Sequence, residues 1–579
     1  MSNPAEKASE ETLKKIYTAL DKGCSFRVEA GAGAGKTYSL IQALHYLIKS
    51  KSATLQKGFQ KIACITYTNV ATDEISSRID NHPSVYVDTI HGFCWSLLQG
   101  FQSQMRAQFP ILSDGKLNEK IDDAGGLKKQ KIVYDLGYRS ASEKEIYIHH
   151  DNVIQLFTVL LSKAKFRDII KNQYPIIFID EYQDTNADLG KTIISNLIES
   201  EINIQIGLFG DHWQKIYEEG IGEMSSDKIE EIGKNANFRS EKKIVEFLNR
   251  MRPSLPQMEK DPSSAGDIKV FHTNNWIGAR RDGKGGGHWK GDLPANEAGN
   301  YFRALKNRLL QDGWEFTFEK TKILMLTNSV LAREQGYSGI SNVFQYSDDY
   351  LKMQDKYIDF FVNILEPVSE HFSNKKYGEM LKAIGLRTPR LRNHDDKKVW
   401  NESLKRLIDS RNAGTIGDVI DCLVETQKPR LSAKIEESEE KFSQLKDLTE
   451  FEDVADKKLV SKLMKLKSVK YSEVIELAKY IDDKTPFSTN HGVKGAEFEN
   501  VLVVCGRGWN KYNWSQFLSW VNDGIPVDKK EAFERNRNLF YVSCSRPKKR
   551  LAVLFTQELS DSALATLNKW FLPENIFPM

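Results

Sequence analysis

The sequence has no C-x-x-C pair, no apolar run long enough to cross a bilayer, and no glutamine ahead of Gln42. Each absence excludes something. The six cysteines, Cys24, Cys64, Cys94, Cys422, Cys505 and Cys544, stand singly, so zinc and iron–sulfur spacings are missing. Several lie in apolar runs, as at 62–65 and 503–505, which suits buried free thiols in a reducing compartment. Residues 1–15 are polar and charged, with no apolar signal core, so a cytoplasmic chain without membrane attachment is expected. Charge of one sign is also lacking: 82 basic against 79 acidic residues leave +3. That balance neither requires nor excludes a polyanionic partner, because such footprints are local patches.

What is present is a length of 579 residues, 40% of them hydrophobic, enough for several cores. Short apolar runs are followed by turn residues and then by a helical pattern. Strands are expected at 25–30, 62–67, 176–180 and 204–209, with a helix at 37–48. The pattern returns with strands at 322–326, 501–505 and 550–555 and a helix at 531–544. Apolar strands alternating with helices imply parallel sheets covered on both faces, so the fold class is α/β with two such units. Residues 99–152 and about 350–481 read as helical insertions; the second is rich in Lys, Glu and Leu at a spacing near 3.6. The basic, glycine-rich stretch 282–292, with Trp289, reads as a flexible surface loop.

The chemistry is carried by motifs on strand ends. Ala30-Gly31-Ala32-Gly33-Ala34-Gly35-Lys36-Thr37 leaves a strand and opens a helix, the setting a phosphate-binding loop requires. Glycines let backbone N–H groups close around phosphate oxygens, and the helix N-terminus adds a favourable potential. Lys36 is placed to reach the β- and γ-phosphates and Thr37 to hold Mg²⁺. Asp180 ends the strand at 176–180 and can hold the metal's shell, while Glu181 can polarise an attacking water. The full run Asp180-Glu181-Tyr182-Gln183-Asp184-Thr185 is far more specific than its acidic pair.

With these two motifs in hand, the sequence resembles the UvrD/Rep-type superfamily 1 (SF1A) DNA helicases, whose P-loop commonly begins with Ala and whose second motif has the form DExQDT. The other motifs follow in the family's order. The segment 65–69 and Thr89-Ile90-His91-Gly92 resemble the early DNA-contacting segments, and by resemblance Tyr67 stacks on a base while Thr68, Asn69, Thr89 and His91 touch the strand. Residues 210–217 are similar to the third motif, with Gln214 coupling γ-phosphate to the DNA groove and Tyr217 in that groove. Asn237-Phe238-Arg239-Ser240 resembles the fourth, with Phe238 on adenine and Arg239 on the γ-phosphate. In the fifth, 489–498, Glu497 accepts from the ribose and His491 faces DNA. In the sixth, 540–546, Arg546 acts as an arginine finger, with Arg537 a second candidate. The resemblance implies two RecA-like motor domains, each carrying a mainly helical insertion. They are expected at 1–98 with 153–250 and at 251–345 with 482–579, the insertions at 99–152 and 346–481. ATP and Mg²⁺ are the implied cofactors, and single-stranded or tailed duplex DNA, moved 3′→5′, is the implied partner.

The departures are informative. The family's adenine-reading Gln upstream of the P-loop is absent. After Tyr217 the family continues Trp-Arg-Gly, whereas this chain has Glu218-Glu219-Gly220, leaving Trp213 as the aromatic that could replace the missing one. The first functional reading is a working helicase. The second is a DNA-sensing ATPase subunit that controls a partner nuclease in antiphage defence, with little unwinding of its own.

Overall fold

The computed structural model describes residues 3–112, 114–135, 138–283, 290–385, 391, 393–448, 450–451, 453–506 and 511–579. Trp289 and most of the glycine-rich stretch expected to be a loop lie outside the described residues.

The first sheet is built from β1 (Ser25–Ala30), β2 (Ile62–Thr66), β3 (Val85–Thr89), β4 (Ile176–Asp180), β5 (Gln205–Gly210) and β6 (Ile229–Lys234). Its six strands run in the order β3–β2–β4–β5–β1–β6, and every pairing is parallel. The register sets Asp180 opposite Phe209 and Glu29 opposite Gly210, so the motif-bearing strand ends share one edge. Both faces are buried. Ile177 and Ile179 join one cluster while Ile176 and Phe178 join the other, which explains a strand that is apolar at every position before Asp180.

The second sheet repeats the plan with β7 (Asp267–His272), β8 (Thr321–Met325), β9 (Phe487–Thr489), β10 (Phe498–Cys505), β11 (Pro547–Phe555) and β12 (Ile576–Pro578). Its order is β9–β8–β10–β11–β7–β12, again all parallel. Strands on either side of a long helical stretch therefore meet in one sheet. That stretch has its own core, in which Phe361, Leu423, Leu463 and Tyr471 are buried. The shorter insertion is not purely helical. Between the helices Gly115–Asp123 and His150–Leu161 it holds a small three-stranded sheet of Lys131–Tyr134, Ser140–Ala141 and Glu145–Ile148. These strands span four residues or fewer, too few to show a clear period of two in the sequence. Five cysteines are buried free thiols, and Cys24 is exposed.

The two units are not separate bodies joined by a linker. Ala32 and Ile216 from the first share an apolar cluster with Tyr541, Phe540 and Trp514 from the second. Phe540 is fully buried, with its ring 6.0 Å from Trp514 and Phe517 and 6.2 Å from Trp570. Phe540→Ala is expected to lower the stability of the second unit by ~3–5 kcal/mol. Chemical denaturation followed by tryptophan fluorescence checks this through an earlier midpoint for the corresponding transition.

Candidate functional site: a nucleotide cleft between two sheets

The P-loop leaves β1 and turns into the helix Lys36–Lys57. Gly33 (φ 76°) and Gly35 (φ 72°) sit in the left-handed region. A Cβ on Gly33 would also lie 2.8 Å from the Asn237 Oδ1 and from Arg239 Cβ, so the position is closed to side chains twice over. Ala32 is held from both sides. Its N–H donates to the Tyr541 hydroxyl at 3.1 Å, and its carbonyl accepts from Asn237 Nδ2 at 3.1 Å and Gln257 Nε2 at 3.2 Å. Tyr541 belongs to the helix Lys530–Cys544 of the second unit, so the loop's shape is set partly across the cleft.

Lys36 Nζ lies 2.5 Å from Glu181 Oε1 and 3.7 Å from Asp180 Oδ1. Burial alone would pull this ammonium's pKa down, but the two carboxylates outweigh burial and hold it above its ordinary value. Asp180 is pushed up by burial against the attraction of Lys36. Glu181 goes the other way: burial opposes it, yet Lys36 and Lys494 hold it down to about 2. Glu181 keeps a left-handed backbone (φ 48°), a conformation costing of order 1–3 kcal/mol outside glycine and frequent at functional sites. Asp180 Oδ1 is buried without a hydrogen-bond partner. A buried carboxylate oxygen with no donor, beside the P-loop, fits the shell of a divalent cation.

The second unit closes the cleft with cations. Arg546 is 1% exposed and donates to Gln214 Oε1 (3.2 Å), Val542 O (2.8 Å) and Ala496 O (3.3 Å). Burial, then the nearby Arg239 guanidinium, pushes its pKa down to about 9. Gln214 also donates to Asp211 Oδ2 at 2.9 Å, so it stands between its own strand end and the second unit's arginine. Arg239 donates to Glu497 Oε2 at 3.2 Å and to Ser545 O at 3.0 Å. Together these groups line a cavity of about 380 Å³ bounded by Ala30–Tyr38, Glu181, Gln214, Phe238, Arg239, Gly495, Glu497 and Arg546. The arrangement presents N–H donors, guanidinium groups and a carboxylate to one polyanionic ligand.

Arg537 is not brought to this cavity. Its guanidinium carbon lies 4.3 Å from the Trp213 ring centroid and it donates to Asn538 Oδ1. Arg537 lies about two turns inside the helix, whereas Arg546 lies beyond its end at Cys544. Trp213 likewise does not replace the missing groove aromatic. Its ring sits 5.5 Å from Tyr541 and 4.9 Å from the Arg252 guanidinium, at the junction of the units.

On the far side of the same strand ends runs a groove of about 1090 Å³. Tyr67, His91 and Tyr217 line it, and the rings of Tyr67 and Tyr217 lie nearly parallel, 6.3 Å apart. Thr68 and Thr89 cap helices, accepting from Ala71 N and Gly92 N at 3.2 Å. With the exposed Asn69 they lie at the same sheet edge but do not line the groove. His491 contacts the Tyr512 hydroxyl at 3.0 Å, also off the groove lining. Lys494 joins the two sites: its ammonium pairs with Asp184 and lies 5.4 Å from the Tyr217 ring.

Several residues here were not picked out from sequence. Glu29, in the buried strand β1, binds Tyr182 Oη at 2.6 Å, His212 Nδ1 at 2.7 Å and Arg252 at 2.8 Å. Arg252 also meets Asp211 at 2.7 Å, so its guanidinium is the cation that Glu29, Asp211 and His212 surround. Lys234, fully buried, donates to Gly35 O and Ser39 Oγ under the P-loop, and burial pushes its pKa down to about 7. Charged residues inside the runs at 25–30 and 229–234 were the available signal.

Fold and site define a P-loop NTPase whose nucleotide cleft lies between two parallel-sheet units. Residues 11–140 and 127–219 match the UvrD/REP helicase N-terminal domain, and 330–558 match the UvrD-like helicase C-terminal domain. The chain belongs to the UvrD/Rep-type superfamily 1 DNA helicases, enzymes that hydrolyse ATP. It is 26% identical to Gabija protein GajB of Bacillus cereus, over 96% of both chains. It is 22% identical to a probable DNA helicase II homologue of Mycoplasma genitalium, over 93% of this chain and 83% of that one. It is 23% identical to the ATP-dependent DNA helicase PcrA of Staphylococcus aureus, over 39% and 37% of the two chains.

Tyr541→Phe removes the acceptor from the Ala32 N–H, a loss of about 1 kcal/mol. Calorimetric titration is expected to show ATP affinity about fivefold weaker. Unchanged affinity would mean that the hydroxyl does not hold the loop.

Proposed function

We propose that this enzyme is a DNA-dependent ATPase motor that moves 3′→5′ along single-stranded DNA and couples each hydrolysis to closure and opening of the cleft. The observation that carries this reading is the shared lining of one cavity by the P-loop, Glu181, Gln214 and Arg239 on one side and Glu497 and Arg546 on the other. Arg546 and Arg239 engage the γ-phosphate, Glu181 orients the attacking water and accepts its proton, and Phe238 packs on the base. Glu497 accepts from the ribose. Thr37 and Asp180 would hold Mg²⁺, which supplies charge neutralisation at the phosphates. Lys36 now faces both carboxylates and would exchange them for phosphate oxygens when the nucleotide arrives. One ligand touching both units favours the closed cleft, and loss of its γ-phosphate removes the cross-cleft partners. The groove with Tyr67, His91 and Tyr217 takes the strand, and Lys494 links it to the catalytic carboxylates. The four-part division, two motor domains with insertions at 99–152 and 346–481, follows from the same reading.

A second reading is favoured by two observations: similarity along nearly the whole chain to a Gabija protein, and Glu218-Glu219 where the family carries Trp-Arg. In it the chain is a DNA-sensing ATPase subunit of an antiphage defence system that gates a partner nuclease. Glu218 pairs with Lys511 of the second unit at 2.5 Å, which turns the position from a base contact into a junction between units.

Single-stranded DNA is expected to raise the ATPase rate at least tenfold, and Lys36→Ala to abolish turnover. A rate indifferent to DNA would refute the motor reading, and turnover by Lys36→Ala would refute the site assignment. Strand displacement on 3′-tailed, 5′-tailed and blunt duplexes separates the readings. Unwinding confined to 3′ tails supports the helicase, and stimulated ATPase without unwinding supports the sensor.

A further inference from the structure

The DNA groove has an unusual wall for a polyanion. Among the described residues that line it there is no lysine or arginine, while Asp151, Asp184, Asp188, Glu218 and Glu219 are all present. Asp184 is tied to Lys494, Glu218 to Lys511, and Asp151 to His149 at 3.0 Å and Arg139 at 3.6 Å. What the groove offers instead is imidazole. His149 and His150, at the turn from the strand Glu145–Ile148 into the helix His150–Leu161, face His91 from the first sheet's edge. The His150 ring lies 5.1 Å from His91 and 5.2 Å from His149, and Tyr134 Oη meets His150 Nδ1 at 2.5 Å. All three imidazoles line the same groove as the Tyr67–Tyr217 pair.

We propose that His149 and His150 of the small insertion are contacts for single-stranded DNA, completing with His91 an imidazole wall that packs on the strand's bases and meets its phosphates. This rests on the reading of the groove as the DNA path. Imidazole rings can stack on bases and hydrogen-bond their edges without sequence preference. Their charge is also conditional. Burial, then the neighbouring imidazoles, holds His91 and His150 below the ordinary histidine pKa, with Asp151 pulling weakly the other way. They are therefore neutral near pH 7.5 and take up protons as pH falls. A phosphate beside them favours the protonated form, so binding is linked to proton uptake and tightens as pH falls. The part-buried Tyr134 contact and the edge-on packing of the rings predefine their directions, so little side-chain entropy is lost on binding.

The test is fluorescence anisotropy with a labelled poly-dT oligonucleotide, at pH 7.5 and 5.5 and over a series of salt concentrations, on wild type and on His149→Asn/His150→Gln. Melting temperature serves as the check of folding. For wild type, affinity should tighten about tenfold between the two pH values. The slope of log affinity against log salt should steepen by about 0.7 for each imidazolium that meets a phosphate. The double variant should bind ~10-fold more weakly at pH 7.5 and show smaller pH effects, keeping only the part that His91 supplies. If wild type binds DNA but the variant shows the same affinity, pH response and salt slope, the inference is overturned and the DNA reading stands. If wild type does not bind the oligonucleotide at either pH, the DNA reading itself falls, and this inference with it. Should His149→Asn/His150→Gln fail to fold, the single variant His149→Asn, which leaves the Tyr134 contact intact, should still bind more weakly at pH 7.5, and affinity equal to wild type overturns the inference.

Discussion

Cations from the second unit lie among acceptors of the first, and the rest of the structure depends on that exchange. Arg546 reaches Gln214, Lys494 reaches Asp184, and Arg239 reaches back to Glu497. Each is partly or fully removed from water, so its charge depends on nearby protein acceptors, some of them across the cleft, or on a ligand in their place. A triphosphate can serve both arginines at once. Its hydrolysis leaves them to their protein partners. Two rigid sheets with one edge each facing the cleft are what allow so small a change in charge to become a movement.

The buried network behind the cleft explains why the edge of the first sheet is rigid. Glu29 binds Tyr182, His212 and Arg252, and Arg252 closes the loop to Asp211. Side chains beside the cleft are thus held by a buried polar cluster, while Gln214 and Arg546, on its rim, remain in contact across the units. Trp213 and Tyr541 add an aromatic seam to the same junction, and Tyr541 carries it to the P-loop backbone. The nucleotide site therefore borrows part of its shape from the second unit.

Much of this was legible from sequence because it depends on local patterns. The strand at 176–180 is apolar up to its closing Asp180, since both faces of a parallel sheet are buried, and the P-loop needs glycine where φ is positive. Lys36, Glu181, Gln214, Arg239 and Arg546 were readable as motif positions, and they converge. Arg537 was misplaced because a residue's direction around a helix is decided by what it packs on, here Trp213. Trp213 in turn faces the junction of the units rather than the groove, a choice that depends on Tyr541 more than three hundred residues away. The small sheet in the first insertion was hidden by strands too short to show a period. The His91–His149–His150 wall could not be read at all, because it exists only once the insertion folds back over the sheet edge.

The central claim is that nucleotide and DNA set the relation of the two units. Fluorescence transfer between dyes on Lys49→Cys and Lys569→Cys, both exposed and on different units, in a Cys24→Ser background, measures it directly. A non-hydrolysable ATP analogue with single-stranded DNA should shift the transfer efficiency to a closed value, and ADP should return it to the open one. An efficiency that stays the same in all three states would contradict the account.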